Sequence, residues 1–344
     1  MRRRPASSRA SRSPLENGGA ERVRERPRHP RPVPHTVGVH AQPKVSVVVP
    51  VRDDPRLSSC LDALGRQTYP AELVEVIVAD NGDDPAVRTL VDARPGVRYV
   101  AEPAGGSYTA RNAAVLVSTG DVLAFTDSDC LPEPGWLEQA VRALADGADI
   151  VAGHVAVYAR DASRPHPVEA YELVHAFPQE TYVSRSGASV TANMCTTRAA
   201  FDAAGPFRSE LLSGADIEWA QRANRLGLRT VYCADAVVHH PARDSYAALR
   251  TKLRRVIAGR HERDVLDGHD SPAPWPAARS LVPPLGAVRR ARRAPQLVST
   301  RARAAFLVGE VYHRYVAAWV AAELAARDRL RRLRARAAAP AGSR

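Results

Sequence analysis

The sequence predicts an α/β fold: a mainly parallel central sheet with helices on both faces, followed by C-terminal helices. Three observations predict it. From Val45 onward, short β-branched runs alternate with segments of helical period. The strand-like runs are apolar from end to end, the pattern of strands covered on both faces. After residue 245 the strand pattern stops and long helical patterns follow.

VSVVVP, from Val45, reads as the first strand. Asp54 and Pro55 read as a helix N-cap and first helical residue, with Leu57, Cys60, Leu61 and Leu64 at helical spacing behind them. LVEVIVAD (73–80) reads as the second strand. Asp84 and Pro85 open a second helix carrying Val87, Leu90 and Val91. VRYVA (97–101) is a third strand, followed by a helix over 107–118 and the strand VLAFTD (122–127). A helix over 136–145 precedes the strand DIVAGHVAVY (149–158). Residues 160–190 are irregular around a short helix at 168–177. Helices are expected over 198–204 and 215–226, the second closed by Gly227. RTVYCADAVVHH (229–240) reads as one or two strands. Helical segments follow at 245–266 and 297–335, joined by a Pro-rich stretch, 272–284. No internal repeat is evident.

A chain of 344 residues suits one large α/β domain with appendages, or two small domains. The net charge of +12 is uneven. Residues 1–44 carry about +8 and 281–344 about +11, which leaves about −7 for the stretch between. Residues 1–43, rich in Arg, Pro and Ser without hydrophobic period, read as a disordered basic tail. Basic ends suit anionic lipid or nucleic acid, or are simply solvated. No nucleic-acid motif accompanies them, so no specific nucleic-acid partner is expected. Cys60, Cys130, Cys195 and Cys233 are far apart without a CxxC pair, against a zinc site or disulfide scaffold and in favour of a reducing cytosol. The N-terminus lacks the apolar core of a signal peptide, and no apolar run reaches 18 residues.

Ligands of such sheets sit beyond the carboxyl ends of the strands. There the sequence places Pro50, Arg52 and Asp53, then Asp80, then Asp127 and Asp129. Gathered carboxylates repel unless a cation or ligand needs them. Asp-x-Asp is a natural hard-cation site for Mg²⁺ or Mn²⁺, which then hold substrate phosphates. Taken singly, each Asp is equally a turn or cap residue.

The ordered series VSVVVPVRDD, VEVIVADNGDD and GGSYTARNAAVLVSTGDVLAFTDSDC, with GADIEWAQRANRLG further on, resembles family 2 glycosyltransferases of the GT-A fold over about residues 45–240. The resemblance implies a catalytic domain over 44–240, with a nucleotide-sugar half at about 44–130 and an acceptor half at about 131–240. A helical, basic extension occupies 241–344. It implies that Pro50, Arg52 and Asp53 line the nucleotide pocket and that Asp80 contacts the base. Arg111 and Asn112 lie beside the diphosphate. Asp127 faces the ribose and, with Asp129, binds the metal. Of His239 and His240, alternation lets only one point inward; His240 is the expected third metal ligand. Asp216 matches the catalytic base, with Glu218 and Arg222 completing that motif; Ala215 stands where the family has an acid. The implied reaction is metal-assisted, inverting transfer from a nucleotide sugar to the hydroxyl of a carbohydrate or lipid-linked acceptor, with Asp216 as general base.

Other readings are a family member that binds nucleotide sugar without turnover, for which Ala215 speaks, and a basic non-enzymatic scaffold. A nucleotidyltransferase would need a Gly-rich loop after the first strand, where VRDDPRL stands, and no GxGxxG supports a dehydrogenase. Near the C-terminus, Val308, Val311, Tyr312, Tyr315, Val316, Trp319 and Val320 form an apolar stripe ahead of the basic segment 327–336. Either the stripe lies on an anionic membrane surface, which would make the protein peripheral at the inner face of the plasma membrane, or it packs on the fold or on a second subunit.

Overall fold

The computed structural model describes residues 42–266 and 284–338. The basic tail up to residue 41 and the Pro-rich joint up to residue 283 therefore lie outside the described residues. In chain order the elements are β1 (Val45–Val51), α1 (Leu57–Leu64), β2 (Val74–Asp80), α2 (Pro85–Asp92), β3 (Val97–Ala101), α3 (Ser107–Val117), β4 (Val122–Thr126), β5 (Leu131–Pro132), α4 (Trp136–Ala145) and β6 (Ile150–Tyr158). Then come α5 (Pro167–His175), α6 (Gln179–Ser186), β7 (Asn193–Thr197), α7 (Arg198–Ala204), α8 (Ala215–Arg225), β8 (Thr230–Pro241), α9 (Tyr246–Leu266), α10 (Leu285–Arg293) and α11 (Thr300–Ala338).

The strands form one sheet in the order β3-β2-β1-β4-β7-β6-β8-β5. Pairing is parallel through β3-β2-β1-β4 and again between β6 and β8. β7 enters antiparallel between β4 and β6, and β5 antiparallel beside β8. The sheet is therefore mixed. The sequence reading did not contain β7: its residues NMCTT lack the β-branched run that marked the other strands. Nor did it contain α6, a largely polar helix whose apolar spacing is weak.

Both faces of the sheet are covered. Along β1, all seven residues are buried. Val45, Val47, Val49 and Val51 pack with α1, α2 and α4 through Leu57, Leu61, Val87, Val91, Trp136 and Leu137. Val48 points the other way, with Ile77, Leu123 and Phe125, onto α3, α7 and α8. Each fully buried Val or Leu contributes about 1.5–3 kcal/mol, so neither face can be uncovered cheaply. On the second face Phe125, Phe201, Phe207 and Trp219 cluster, Phe125 edge-on to Phe207 with centroids at 5.3 Å and Phe201 stacked on Trp219 at 5.4 Å. This aromatic cluster holds the base of α8.

Two helix starts behave differently. Asp84 caps α2 as expected, accepting from the Ala86 N–H at 2.8 Å, with Pro85 first in the helix. Asp54 does not cap α1. Its carboxylate accepts from the backbone N–H of Arg56 at 3.0 Å and makes a turn, and the helix opens later at Leu57. The competing bond is local: the Arg56 guanidinium also grips Asp54, at 2.8 Å.

The apolar stripe near the C-terminus is divided. Tyr312 and Val316 pack inward against Val168, Leu249 and Leu253, and Phe306 joins Ala287 and Ala291 of α10. Val308, Val311, Tyr315 and Trp319 stay on the outside, Trp319 being 51% exposed. The division follows from helix geometry, since the stripe is wider than the single face that α5 and α9 can cover. Gly309 makes the inner contact possible: a Cβ there would lie 2.1 Å from the Pro167 carbonyl oxygen. No described helix is long and apolar enough to cross a membrane.

Candidate active site

The loop after β4 carries Asp127, Ser128 and Asp129, and β8 brings His240 beside them. Ligand atoms of Asp127, Asp129, Cys130 and His240 lie within 4.8 Å of one another. The His240 Nδ1 is 2.7 Å from the Pro241 carbonyl oxygen, a contact that requires the proton on Nδ1. The other ring nitrogen, Nε2, lies 3.7 Å from Asp129 Oδ1. His239 points outward to Glu133, at 2.8 Å. Burial follows suit along the strand end: Ala236, Val238 and His240 are buried, Val237 and His239 less so. Counting alternation from the start of β8 would fail, because Ala234, Asp235 and Ala236 bulge out without partners in β6.

Burial raises the Asp129 pKa; His240 pulls it back and Asp127 raises it again, leaving it above the ordinary carboxylate value. Burial, with Asp127 and Asp129 alongside, also pushes the Cys130 thiol well up. A neutral thiol is a poor partner for a hard cation, so the fitting ligand set is two carboxylates and one imidazole. Arg111, itself buried, donates from Nη2 to Asp127. Its Nε is buried with no hydrogen-bond partner.

A second corner is built on Asp216, in the first turn of α8 and 7% exposed. Its Oδ1 accepts from the Tyr108 hydroxyl at 3.0 Å and from the Ile217 N–H at 2.9 Å. Its Oδ2 accepts from the Thr191 N–H at 3.1 Å and the Thr191 hydroxyl at 3.4 Å. The Tyr108 oxygen in turn accepts from the Gly214 N–H at 3.1 Å. Burial and Asp216 push the Tyr108 phenol upward, so it remains a donor. Tyr108 and Arg111 lie almost one turn apart on α3, so a single helix steadies Asp216 with one side chain and Asp127 with the other.

Both corners open into one cavity of about 770 Å³. Of the residues singled out from sequence, Pro50, Arg52, Arg111, Asp127, Asp129, Asp216 and His240 line it. Others lie elsewhere. Asp53 is exposed beside the rim, with φ at 47°, a left-handed conformation uncommon outside glycine. Asp80 is buried beneath it, accepting from the Tyr99 hydroxyl at 2.8 Å and the Asp84 N–H at 2.7 Å. Asn112, expected at the diphosphate, is used up in the fold: its amide donates to the Phe207 carbonyl at 2.8 Å and accepts from the Phe207 N–H at 3.0 Å. Glu218 and Arg222, expected in the acceptor motif, form a part-buried ion pair at 3.1 Å, while Arg222 also binds the carbonyls of Ala204 and Pro206. They tie α8 to the end of α7.

Three contributors escaped the sequence reading. Tyr108 and Thr191 hold Asp216 but lie far from it in the chain and carry no spacing signal. Asn81 lines the cavity next to Asp80 with a buried, unpartnered Oδ1. A buried polar atom without a partner calls for a ligand or water.

Comparison with known proteins is consistent with this geometry. The profile described as Glycosyl transferase family 2 matches residues 46–204. Glycosyltransferase AglE of Haloferax volcanii is 32% identical over 232 residues, covering 65% of this chain and 75% of its own length. Validoxylamine A glucosyltransferase of Streptomyces hygroscopicus subsp. limoneus is 33% identical over 151 residues, 42% of this chain but only 33% of that protein. Among solved structures, the mannosyltransferase PcManGT from Pyrobaculum calidifontis, in complex with GDP-Man and Mn²⁺, superposes with a TM-score of 0.51 at 21% identity, covering 83% of this chain and 76% of that one.

Proposed function

The chain belongs to the family 2 glycosyltransferases, and from that membership we propose that it moves a sugar from a nucleotide-sugar donor to an acceptor hydroxyl by a single, inverting displacement with Asp216 as general base. The observation that carries the reading is the shared cavity: an oriented, buried carboxylate at one corner and the Asp127–Asp129–His240 cluster at the other. Asp127, Asp129 and His240 would hold a divalent cation, Mn²⁺ or Mg²⁺, which when bound offsets the charge of the leaving diphosphate. The unpartnered Arg111 Nε–H, a donor, supports a phosphate-bearing ligand at that end, and the unpartnered Asn81 Oδ1, an acceptor, supports a ligand group with an O–H or N–H to donate.

Asp216 takes the proton of the acceptor hydroxyl as its oxygen bonds to the anomeric carbon. The bond from that carbon to the diphosphate oxygen breaks on the opposite face, and the electron pair leaves with the nucleoside diphosphate. Tyr108 and Thr191 keep the carboxylate aimed. Ala215 takes no part in this scheme: its side chain is fully buried in the aromatic cluster. The acceptor is a carbohydrate or a lipid-linked molecule. The outward residues of α11, beside a strongly basic chain end, support a peripheral position on an anionic membrane surface.

Calorimetric titration of nucleoside diphosphate tests the donor corner. Mn²⁺-dependent binding should be present in the intact chain and lost in Asp129→Ala. Equal affinity in the two proteins would refute the metal assignment.

A further inference from the structure

Helix α9 forms the wall of the cavity facing the site. Its Lys252, Arg255, Val256, Gly259, Arg260 and Arg263 all line that space. The helix sits hard against the loop that leads into Asp216. A Cβ on Gly259 would lie 2.5 Å from the Ser213 carbonyl oxygen, and Glu262 accepts from the Leu212 N–H at 3.4 Å. The phenol of Tyr182 reports the same closeness: burial raises its pKa, Asp216 raises it further and Arg260 lowers it.

The cations of this wall are of two kinds. Lys252 is compensated, 2.8 Å from the buried Glu172, which also binds Arg243 at 2.9 Å. Arg255, Arg260 and Arg263 have no ion-pair or hydrogen-bond partner among the described residues. From Arg255 to Arg263 the strip runs about 12 Å at helical rise. Arg255 and Arg260 are exposed and Arg263 is partly buried where the three line one cavity, and like charges gathered on one wall favour a bound anion. Guanidinium forks match phosphate oxygens in geometry as well as charge. The donor's diphosphate does not need them, since Arg111 and the Asp127–Asp129–His240 cluster serve it at the other corner.

We propose that Arg255, Arg260 and Arg263 form a second anion subsite, built for a phosphate group, and that the acceptor rather than the donor supplies it. The proposal rests on the donor lying at the Asp127–Asp129 corner. The acceptor is then a phosphate- or diphosphate-bearing molecule whose hydroxyl reaches Asp216 while its anionic group lies along α9.

The test uses the full chain with n-octyl phosphate as probe and n-octyl glucoside as the neutral control, titrated calorimetrically in EDTA. Octyl phosphate should bind and octyl glucoside should not. The triple variant Arg255→Gln/Arg260→Gln/Arg263→Gln should weaken octyl phosphate by about tenfold or more, as loss of charge-assisted bonds to phosphate implies. The corresponding triple Lys variant should keep most of the affinity. In a second arm, Mn²⁺-dependent binding of GDP and UDP should be unchanged in the Gln variant. Octyl phosphate binding that is absent from the intact chain, or equal in the Gln variant, overturns the subsite. A parallel fall in nucleoside diphosphate affinity assigns the strip to the donor and overturns the acceptor claim. If the triple Gln variant melts early, Arg260→Gln alone carries the same reading. Because the first arm contains no metal, its outcome is independent of the Asp129→Ala result.

Discussion

At the scale of single residues, Asp216 is held by more donors than a surface acid would collect. Tyr108, Thr191 and its own helix all address it. Asp216→Asn preserves shape but cannot take a proton, so turnover should fall by about 10²–10⁴ while Mn²⁺-dependent nucleoside diphosphate binding stays intact. Turnover within a few-fold of the original would remove Asp216 from the mechanism. Tyr108→Phe deletes one hydrogen bond to a buried carboxylate and should lower kcat by about tenfold with little change in KM for donor. An unchanged kcat would mean that Thr191 and the helix suffice to aim Asp216. That Asp127, Asp129 and His240 would gather at one rim of the sheet was legible from strand ends and local alternation, whereas Asp216, on a helix, was picked out only by the resemblance of its segment to the family's motif; all four line the cavity. Asn112, Glu218 and Arg222 were expected among substrate contacts and turn out to bind protein groups. Their motif positions say where they lie along a helix but not which neighbour arrives from another part of the chain. Tyr108 was invisible for the same reason: its partner lies 108 residues away.

At the scale of elements, the C-terminal helices are fastened by Glu172. This carboxylate of α5 is 1% exposed, and α9 and the end of β8 supply Lys252 and Arg243 to it. Burial raises its pKa, but Lys252 and Arg243 outweigh burial and leave it below the usual glutamate value. A depressed folded pKa means stability that is present above the unfolded glutamate value and lost as pH falls below it. Glu172→Gln should therefore cost about 3 kcal/mol near neutrality, as breaking one partner of a buried pair does. The gap between intact protein and variant should narrow in denaturant titrations run below the ordinary glutamate range. A gap that is constant with pH would contradict the role given to this charge. The outer residues of α11 make a separate prediction. The intact chain should pellet with anionic liposomes at low salt and be released at high salt, and Tyr315→Ser/Trp319→Ser should stay in the supernatant. Equal pelleting of both would show that basic residues alone hold the surface. The helix itself was legible from its period, but its division into an inner and an outer face was not, since that depends on where α5 and α9 lie.

At the scale of the whole molecule, alternating buried strands and amphipathic helices were enough to foresee a layered α/β domain. They did not foresee the antiparallel insertion of β7, which joins the β3-β2-β1-β4 half to the β6-β8 half. That insertion brings His240 from one half to Asp127 and Asp129 of the other. The same cavity then receives Asp216 from α8 and the arginines of α9. The central claim is that this cavity performs one displacement, with a base on the acceptor side and the diphosphate leaving from the far side. The direct measurement is the anomeric configuration of the product, read by proton NMR coupling constants after screening pooled nucleotide sugars for the donor that is consumed. The account predicts a configuration opposite to that of the donor. Retention would require a second nucleophile and two displacements, and would contradict it.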